Sequence, residues 1–363
     1  MLPWLGEQFG NPSGSHSVAR TARAAVDEAR ERMAACLGAE PGQVVFTGGG
    51  TEADNLAVIG SVLAARATDS GASAVCSAVE HEAVIRAVEA VGGHVVPVGR
   101  DGVIDLGALE SLLGERAGAR HTALVSVMLA NNEVGVIQPL DRVVEVCRRA
   151  APEALVHTDA VQAFPWLDVA GLAGRADLVS ISAHKFGGPQ GVGALVVRDR
   201  ARLTPTAHGG GQERGRRSGT HNVAGILGMT AAAEATVRDR DALVVRAAGW
   251  RDELVDGVIA GVPGAREVAG RAARVAGNCH LLIPGVESEA LLFLLDEAGV
   301  CASAGSACAS GAMEPSHVLV AMGVADDEAR GALRLSLGWC TTQADVDAAR
   351  RAVPEAVGRL VPA

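Results

Sequence analysis

Between residues 20 and 197, short apolar runs alternate with segments of helical spacing, and no other feature narrows the possible folds as much. Residues 20–37 place Ala22, Ala25, Val26, Ala29, Met33 and Cys36 on one helical face, with Arg and Glu on the other. The run at 43–47 reads as a buried strand, and Asn55, Leu56, Val58, Ile59 and Leu63 carry the helix pattern that follows it. Further strands are expected at 74–76, 94–98, 121–127, 154–158, 177–182 and 192–197, with helical spacing between them, as at 140–150. Apolar strands separated by helices pair in parallel through crossovers, which gives an α/β fold with a mostly parallel, doubly wound sheet. After about residue 238 a helical stretch leads into a mixed α+β segment from Gly261. The expected organisation is a large α/β domain over 10–238 and a smaller α+β domain made of 1–9 and 239–363.

Composition excludes several classes of partner. The net charge of −10, with aromatics at 2% and no Tyr, argues against nucleic acid, which calls for basic patches and stacking rings. The longest apolar run, 223–233, ends at Glu234, well short of the roughly eighteen residues of a membrane span. Met1-Leu2-Pro3-Trp4 has neither the charged nor the apolar region of an export signal. Seven cysteines, an odd number, then indicate free thiols in a reducing cytoplasm. There is no Cys-x-x-Cys, so no thiolate metal site is expected.

Among 32 basic residues there is a single lysine, Lys185. In a chain that uses Arg wherever a positive charge is enough, a retained Lys marks a place where Arg cannot serve. The obvious such role is an amine that must lose its proton, because an ammonium titrates and a guanidinium does not.

Ligands in doubly wound sheets gather outside the carboxyl ends of the strands. The polar groups expected at such ends are Glu80-His81, Asn131-Asn132-Glu133, Asp159 with Gln162, and Ser182-Ala183-His184-Lys185. After the strand at 43–47 comes Gly48-Gly49-Gly50-Thr51-Glu52 and then a helix, an order that points free backbone N–H groups at an anion. This fits neither the dinucleotide fingerprint nor the Walker pattern, and alone it is only a glycine-rich turn. Together the groups suit a phosphorylated pyridine aldehyde. Lys185 would form its imine, Asp159 would keep the ring nitrogen protonated, Gly50, Thr51, Ser182 and His184 would hold the phosphate, and His81 would stack on the ring.

Residues 206–220 form a long polar loop with three Arg, read as a solvated or subunit-contact loop. In the last segment, Ala302-Ser303-Ala304-Gly305-Ser306-Ala307-Cys308-Ala309-Ser310-Gly311 surrounds Cys308 with small residues, which makes it an accessible thiol and a candidate nucleophile. The other six cysteines lie in apolar or helical contexts and are expected to be inert; Cys301, which opens the same loop, is read as packing. Arg334 interrupts an apolar run at 332–337 and would receive a carboxylate or form an internal ion pair.

These residues resemble the cysteine desulfurases of the group I, NifS/IscS-like type, pyridoxal-phosphate enzymes of the aminotransferase fold. The likeness runs over nearly the whole chain, through Phe9-Gly10-Asn11-Pro12-Ser13, 46–55, Glu80-His81, 131–135, 159–162, 182–188, 208–220, 305–310, Glu314-Pro315-Ser316 and 334–338. The resemblance implies that Lys185 tethers pyridoxal 5′-phosphate and moves protons at the substrate α-carbon, that His81 stacks on the ring, and that Asp159 and Gln162 meet its nitrogen and hydroxyl. Gly50, Thr51, Ser182 and His184 would hold the phosphate, and Thr220 would reach the phosphate of a neighbouring subunit in a homodimer. Asn132, at the cofactor, and Arg334 would orient the substrate, L-cysteine. Cys308 would take its sulfur as a persulfide, releasing L-alanine, for a sulfur-acceptor protein such as an iron–sulfur scaffold. Family members carry a further strand ahead of the position of Met1 that lines the substrate pocket; without it, cofactor binding is expected to survive better than turnover. The alternatives are a selenocysteine lyase or aminotransferase of the same fold, or a non-catalytic, truncated partner-binding paralogue.

Overall fold

The structure, a computed structural model, describes residues 1–116, 122–270, 274–305 and 315–361. Seven strands form the larger sheet: β1 (Val44–Thr47), β2 (Ser73–Ser77), β3 (His94–Val96), β4 (Thr122–Ser126), β5 (Leu155–Asp159), β6 (Leu178–Ser182) and β7 (Gly193–Val197). Their order is β1-β7-β6-β5-β4-β2-β3. The pairs from β3 to β6 are parallel, whereas β7 runs antiparallel to both of its neighbours, β6 and β1. The turn from β6 to β7 is too short for a crossover, so the chain doubles back. Each strand lies within a residue or two of its expected position; His121, the expected first residue of β4, is outside the described residues.

The helix Gly50–Arg66 covers one face of the sheet. Its Ala53, Leu56, Ala57, Val58 and Val62 pack in one core with Val45, Leu124, Leu155, Leu178, Leu195 and Val197. Each fully buried Val or Leu contributes about 1.5–3 kcal/mol relative to exposure. Because side chains alternate along a strand, Leu124 and Ser126 share a face, as do Leu155, His157 and Asp159, and Leu178, Ser180 and Ser182. That face is therefore apolar in its middle and polar toward the carboxyl ends of β4, β5 and β6. The helix Ser17–Leu37 buries Ala19, Ala22, Val26, Ala29 and Met33 and stops at Gly38, whose φ of 59° is left-handed. A Cβ at Gly38 would also sit 3.1 Å from Ala170 Cβ.

The smaller sheet, β10-β9-β8, is antiparallel and comprises β8 (Arg266–Glu267), β9 (Asn278–Leu282) and β10 (Ala332–Ser336). It shares a core with the helices Ser288–Glu297 and Gln343–Leu360, through Cys279, Leu281, Leu291, Leu295, Leu333, Val346 and Val353. The second helix opens on a capping box between Thr342 and Asp345.

The chain divides into two compact units. One comprises Met1–Val96, Asp105–Leu129 and Gln138–Arg240; the other comprises Pro97–Ile104, Ala130–Ile137 and Asp241–Ala363. This differs from the expected division in two ways: residues 1–9 group with the larger unit, and 97–104 and 130–137 with the smaller one. The second difference has a backbone cause: Val136 bridges to Arg274, and Val275 N–H donates to Gly135 O at 2.9 Å, within the smaller unit. Among the described residues no helix is long and apolar enough to cross a membrane, the helix Val223–Gly261 included.

Candidate active site

The site begins where β1 ends. Thr47 Oγ1 donates to Gly49 O at 2.9 Å, and Gly49, at φ 144°, turns the chain into the helix Gly50–Arg66, which has no side-chain N-cap. Its first backbone N–H groups, at Gly50 and Thr51, are thus left for another acceptor. The turn is closely backed. A Cβ at Gly193 on β7 would fall 2.7 Å from Gly49 C, and one at Gly50 would fall 2.9 Å from Val161 Cγ2 and 3.3 Å from Ser182 Cβ. Only glycines allow this approach. Ser182 Oγ lies 2.9 Å from His184 Nδ1, at the carboxyl end of β6. Thr51, His184 and Lys185 are exposed; the partial burial that His184 keeps, with the charges of Lys185 and His81, holds its imidazole below the usual histidine range.

The neighbouring strand ends set an acid against an amine. Asp159 ends β5, is 4% exposed and accepts from Val161 N at 2.8 Å. Lys185 stands on the short 3-10 turn Ala183–Phe186 directly after β6. Burial raises the Asp159 carboxyl, while the Val161 N–H and the charges of His81 and Lys185 pull it back toward its ionised form. His81 is the N-cap of the helix Glu82–Ala90: its Nδ1 accepts from Ala83 N at 3.1 Å, which fixes the ring and leaves Nε2 and the ring face outward. Asn55 Nδ2 donates to Thr51 O at 2.9 Å and to Ala83 O at 3.2 Å, joining the helix Gly50–Arg66 to the helix Glu82–Ala90. Gln162, just past Asp159, is half-buried.

Behind this front lies a layer that the sequence reading missed. Asp54, Ser126, His157 and Ser180 are buried together with Glu80. The only sequence signal was polar residues at two-residue spacing inside apolar strands, as in His157 and Asp159.

The loop 206–222 folds back on the same unit. Arg217 Nε is 2.6 Å from Glu52 Oε1, and Arg214 and Arg216 reach Gly42 O. Its arginines are thus engaged in intramolecular bonds. Thr220 is exposed, after Gly219 at φ 119°.

Asn132 and Arg334 fall together in the smaller unit. Arg334 Nη1 is 3.1 Å from Gly305 O and 3.4 Å from Asn132 O, while its buried Nε has no hydrogen-bond partner. A buried guanidinium N–H without an acceptor is suited to a carboxylate. Cys308 lies outside the described residues. Of the other thiols, Cys76, Cys147 and Cys279 are buried, with Cys147 pushed up to about 12 by burial, and Cys36 is half-buried. The expected packing of Cys301 is not found: it and Cys340 are exposed, Cys301 two residues after Gly299 at φ 78° and Cys340 in the turn before the Thr342 cap.

The glycine cradle at a helix start, the buried acid and the lysine match what a phosphorylated pyridine aldehyde requires, so the residues present fit pyridoxal phosphate. A parallel-sheet protein with this donor set is of the pyridoxal-phosphate enzyme class. Comparison with known proteins agrees, since residues 1–349 match the family described as Aminotransferase class-V. An IscS-like cysteine desulfurase of Mycobacterium tuberculosis is 45% identical over 97% of this chain and 90% of its own length. Among solved structures, a NifS-like protein superposes with a TM-score of 0.90 at 33% identity, covering 99% of this chain and 94% of that one. A structure described as SspA in complex with cysteine has a TM-score of 0.77 at 31% identity, covering 92% of each chain. This chain belongs to the class-V aminotransferase family, among its IscS/NifS-like cysteine desulfurases.

Proposed function

We propose that this protein is a pyridoxal-phosphate-dependent cysteine desulfurase that converts L-cysteine to L-alanine and keeps the sulfur as a persulfide on Cys308. The observation that carries this reading is the pairing of the chain's one lysine with a buried Asp159 at adjacent strand ends, beside a glycine-bounded helix start. Bound pyridoxal phosphate would supply an electron sink for the substrate α-carbon.

The residues have separable tasks. Lys185 Nζ would hold the cofactor through its aldehyde and would move the proton at the substrate α-carbon. Asp159 would hold a proton on the ring nitrogen, and Gln162 would donate to the ring hydroxyl. The Gly50 and Thr51 N–H groups, with the Thr51 and Ser182 hydroxyls and His184, hold the phosphate. His81 would stack on the ring and assist proton transfer. Arg334 takes the substrate carboxylate on its unpartnered Nε, with Asn132 beside it. The Cys308 thiolate attacks the sulfur of bound cysteine. An S–S bond forms and the cysteine C–S bond breaks; its electron pair stays with the β-carbon, which takes a proton and leaves as alanine. No external oxidant is required. Relatives described as cysteine desulfurases, and one solved with cysteine, support the substrate.

The exposed Thr220 supports a homodimer in which its hydroxyl serves the phosphate of the second subunit. A cytoplasmic location and delivery to a sulfur-acceptor protein, such as an iron–sulfur scaffold, complete the reading. The test is to incubate the pyridoxal-phosphate-loaded protein with L-cysteine and measure alanine alongside intact mass. Alanine is expected together with one added sulfur atom, and both are expected to vanish in Cys308→Ala. Alanine formation undiminished in Cys308→Ala would contradict the persulfide route, and no alanine from the loaded wild type would contradict the activity.

A further inference from the structure

The helix Gly50–Arg66 carries an acid, Glu52, in its first turn, beside the backbone N–H groups assigned to the phosphate. The helix dipole favours an acid there, and its side chain can reach back to N–H groups ahead of the helix. Once a phosphate occupies the helix start, the same charge opposes it. The structure shows where that charge is directed. Glu52 Oε2 accepts from Gly48 N at 2.7 Å, one residue ahead of the N-cap Gly49. Arg217, from the loop 206–222, donates from Nε to Glu52 Oε1 at 2.6 Å and from Nη2 to Oε2 at 3.2 Å, a fork on both oxygens. The Arg217 and Glu52 side chains are 24% and 31% exposed, so the pair is partly sheltered from water.

Both sides of the fork are fixed by their surroundings. A Cβ at Gly48 would fall 2.6 Å from Glu52 Oε2 and 3.9 Å from Arg217 Nη2, so the turn ahead of the cradle closes against the pair. On the loop side, Gly219 N donates to Gln212 Oε1 at 2.9 Å, Ser218 N to Ala207 O at 3.3 Å and Gly211 N to Ser218 Oγ at 3.3 Å. Of the three arginines on this loop, Arg217 is the one that meets Glu52, while Arg214 and Arg216 reach Gly42 O. All of these residues lie in the larger unit.

We propose that Arg217 is a positioning residue for the cofactor phosphate: by forking onto Glu52 it cancels the carboxylate charge at the helix start and holds it back on the Gly48 N–H, so that the N–H groups of Gly50 and Thr51 stay open to the phosphate. This rests on the cofactor reading of the site given above. Neither Arg217 nor Glu52 is assigned a contact with the phosphate. Without Arg217, Glu52 keeps its charge and is freed to turn onto the N–H groups of the first turn, where it would both repel the phosphate and compete with it. A purely structural tie would act on every ligand of the site alike. A charge acts on the phosphate alone, depends on Glu52 being an anion, and weakens as salt is added.

The experiment measures, at low salt, the dissociation constants of pyridoxal 5′-phosphate and of pyridoxal, which lacks the phosphate, for the full chain. It compares wild type, Arg217→Ala, Glu52→Gln and the double variant. In Arg217→Ala the affinity for pyridoxal 5′-phosphate is expected to fall about threefold to tenfold, the size of one partly solvated charge at a helix terminus, with that for pyridoxal unchanged. Glu52→Gln keeps an acceptor for the Gly48 N–H without the charge, so its affinity is expected to match or exceed wild type. In the double variant the lost affinity is expected to return. If Arg217→Ala does not fold by circular dichroism, Arg217→Gln is read in its place, alone and with Glu52→Gln. An equal loss for pyridoxal would overturn the proposal, and so would wild-type affinity in Arg217→Ala or a double variant as weak as the single one. A wild type that binds no pyridoxal phosphate overturns the cofactor reading and this inference with it, whereas normal wild-type binding with an unaffected Arg217→Ala overturns the inference alone.

Discussion

Lys185 can do what none of the other basic side chains can, which is to lose a proton and form an imine with an aldehyde. Asp159 is chosen by similar logic: burial raises its carboxyl, and the cations in range and a hydrogen bond from Val161 act against that shift. Asp159→Asn keeps the shape and removes the acid. Turnover is expected to fall roughly 10²- to 10³-fold while cofactor is retained, as when one preorganised electrostatic group is lost; steady-state alanine production and the absorbance of the bound cofactor check both parts. Lys185 and Asp159 could be read from the sequence because their chemistry restricts the residue type and their place at strand ends restricts the position. Asp54, His157 and Ser180 could not. A polar residue inside a strand or one turn into a helix looks like a break in an apolar pattern until the tertiary fold brings its partners within 3 Å.

At the scale of elements, Glu213 ties three pieces together. It takes Arg30 from the helix Ser17–Leu37 on both oxygens at 2.7 Å, accepts from Phe46 N on β1 at 3.0 Å, and meets His221 Nε2 at 2.7 Å in the loop 206–222. Its own φ of 48° is left-handed, a strain that the surrounding bonds hold in place. Those partners pull its carboxyl down to about 2 from the ordinary 4.5. A lowered folded value means that the stabilisation is full above pH 4.5 and is lost as pH falls toward 2. Glu213→Gln, which leaves Arg30 buried without a counter-charge, is expected to lower stability by about 3–5 kcal/mol at pH 7. That gap is expected to close between pH 4.5 and 2, which denaturant melts across the range would show; a gap independent of pH would contradict the assignment. Strand positions were legible because buried apolar runs bounded by Gly and polar residues leave few choices. The reversed direction of β7 was not, since it depends on the length of the β6–β7 turn rather than on any residue pattern.

At the scale of the whole molecule, a sequence cut into continuous pieces could not have assigned 97–104 and 130–137 to the smaller unit; for 130–137 the membership comes from pairing with chain more than a hundred residues away, as between Val136 and Arg274. Asn132 and Arg334 share that unit, whereas Lys185 and Asp159 belong to the other. What the whole account requires is a covalent bond from pyridoxal phosphate to one nitrogen. The most direct measurement is to load the protein with pyridoxal phosphate, reduce it with borohydride, digest it and map the modified peptide by mass spectrometry. The expected result is a stoichiometric pyridoxyl label on Lys185; no label, or a label only at the amino terminus, would contradict the account.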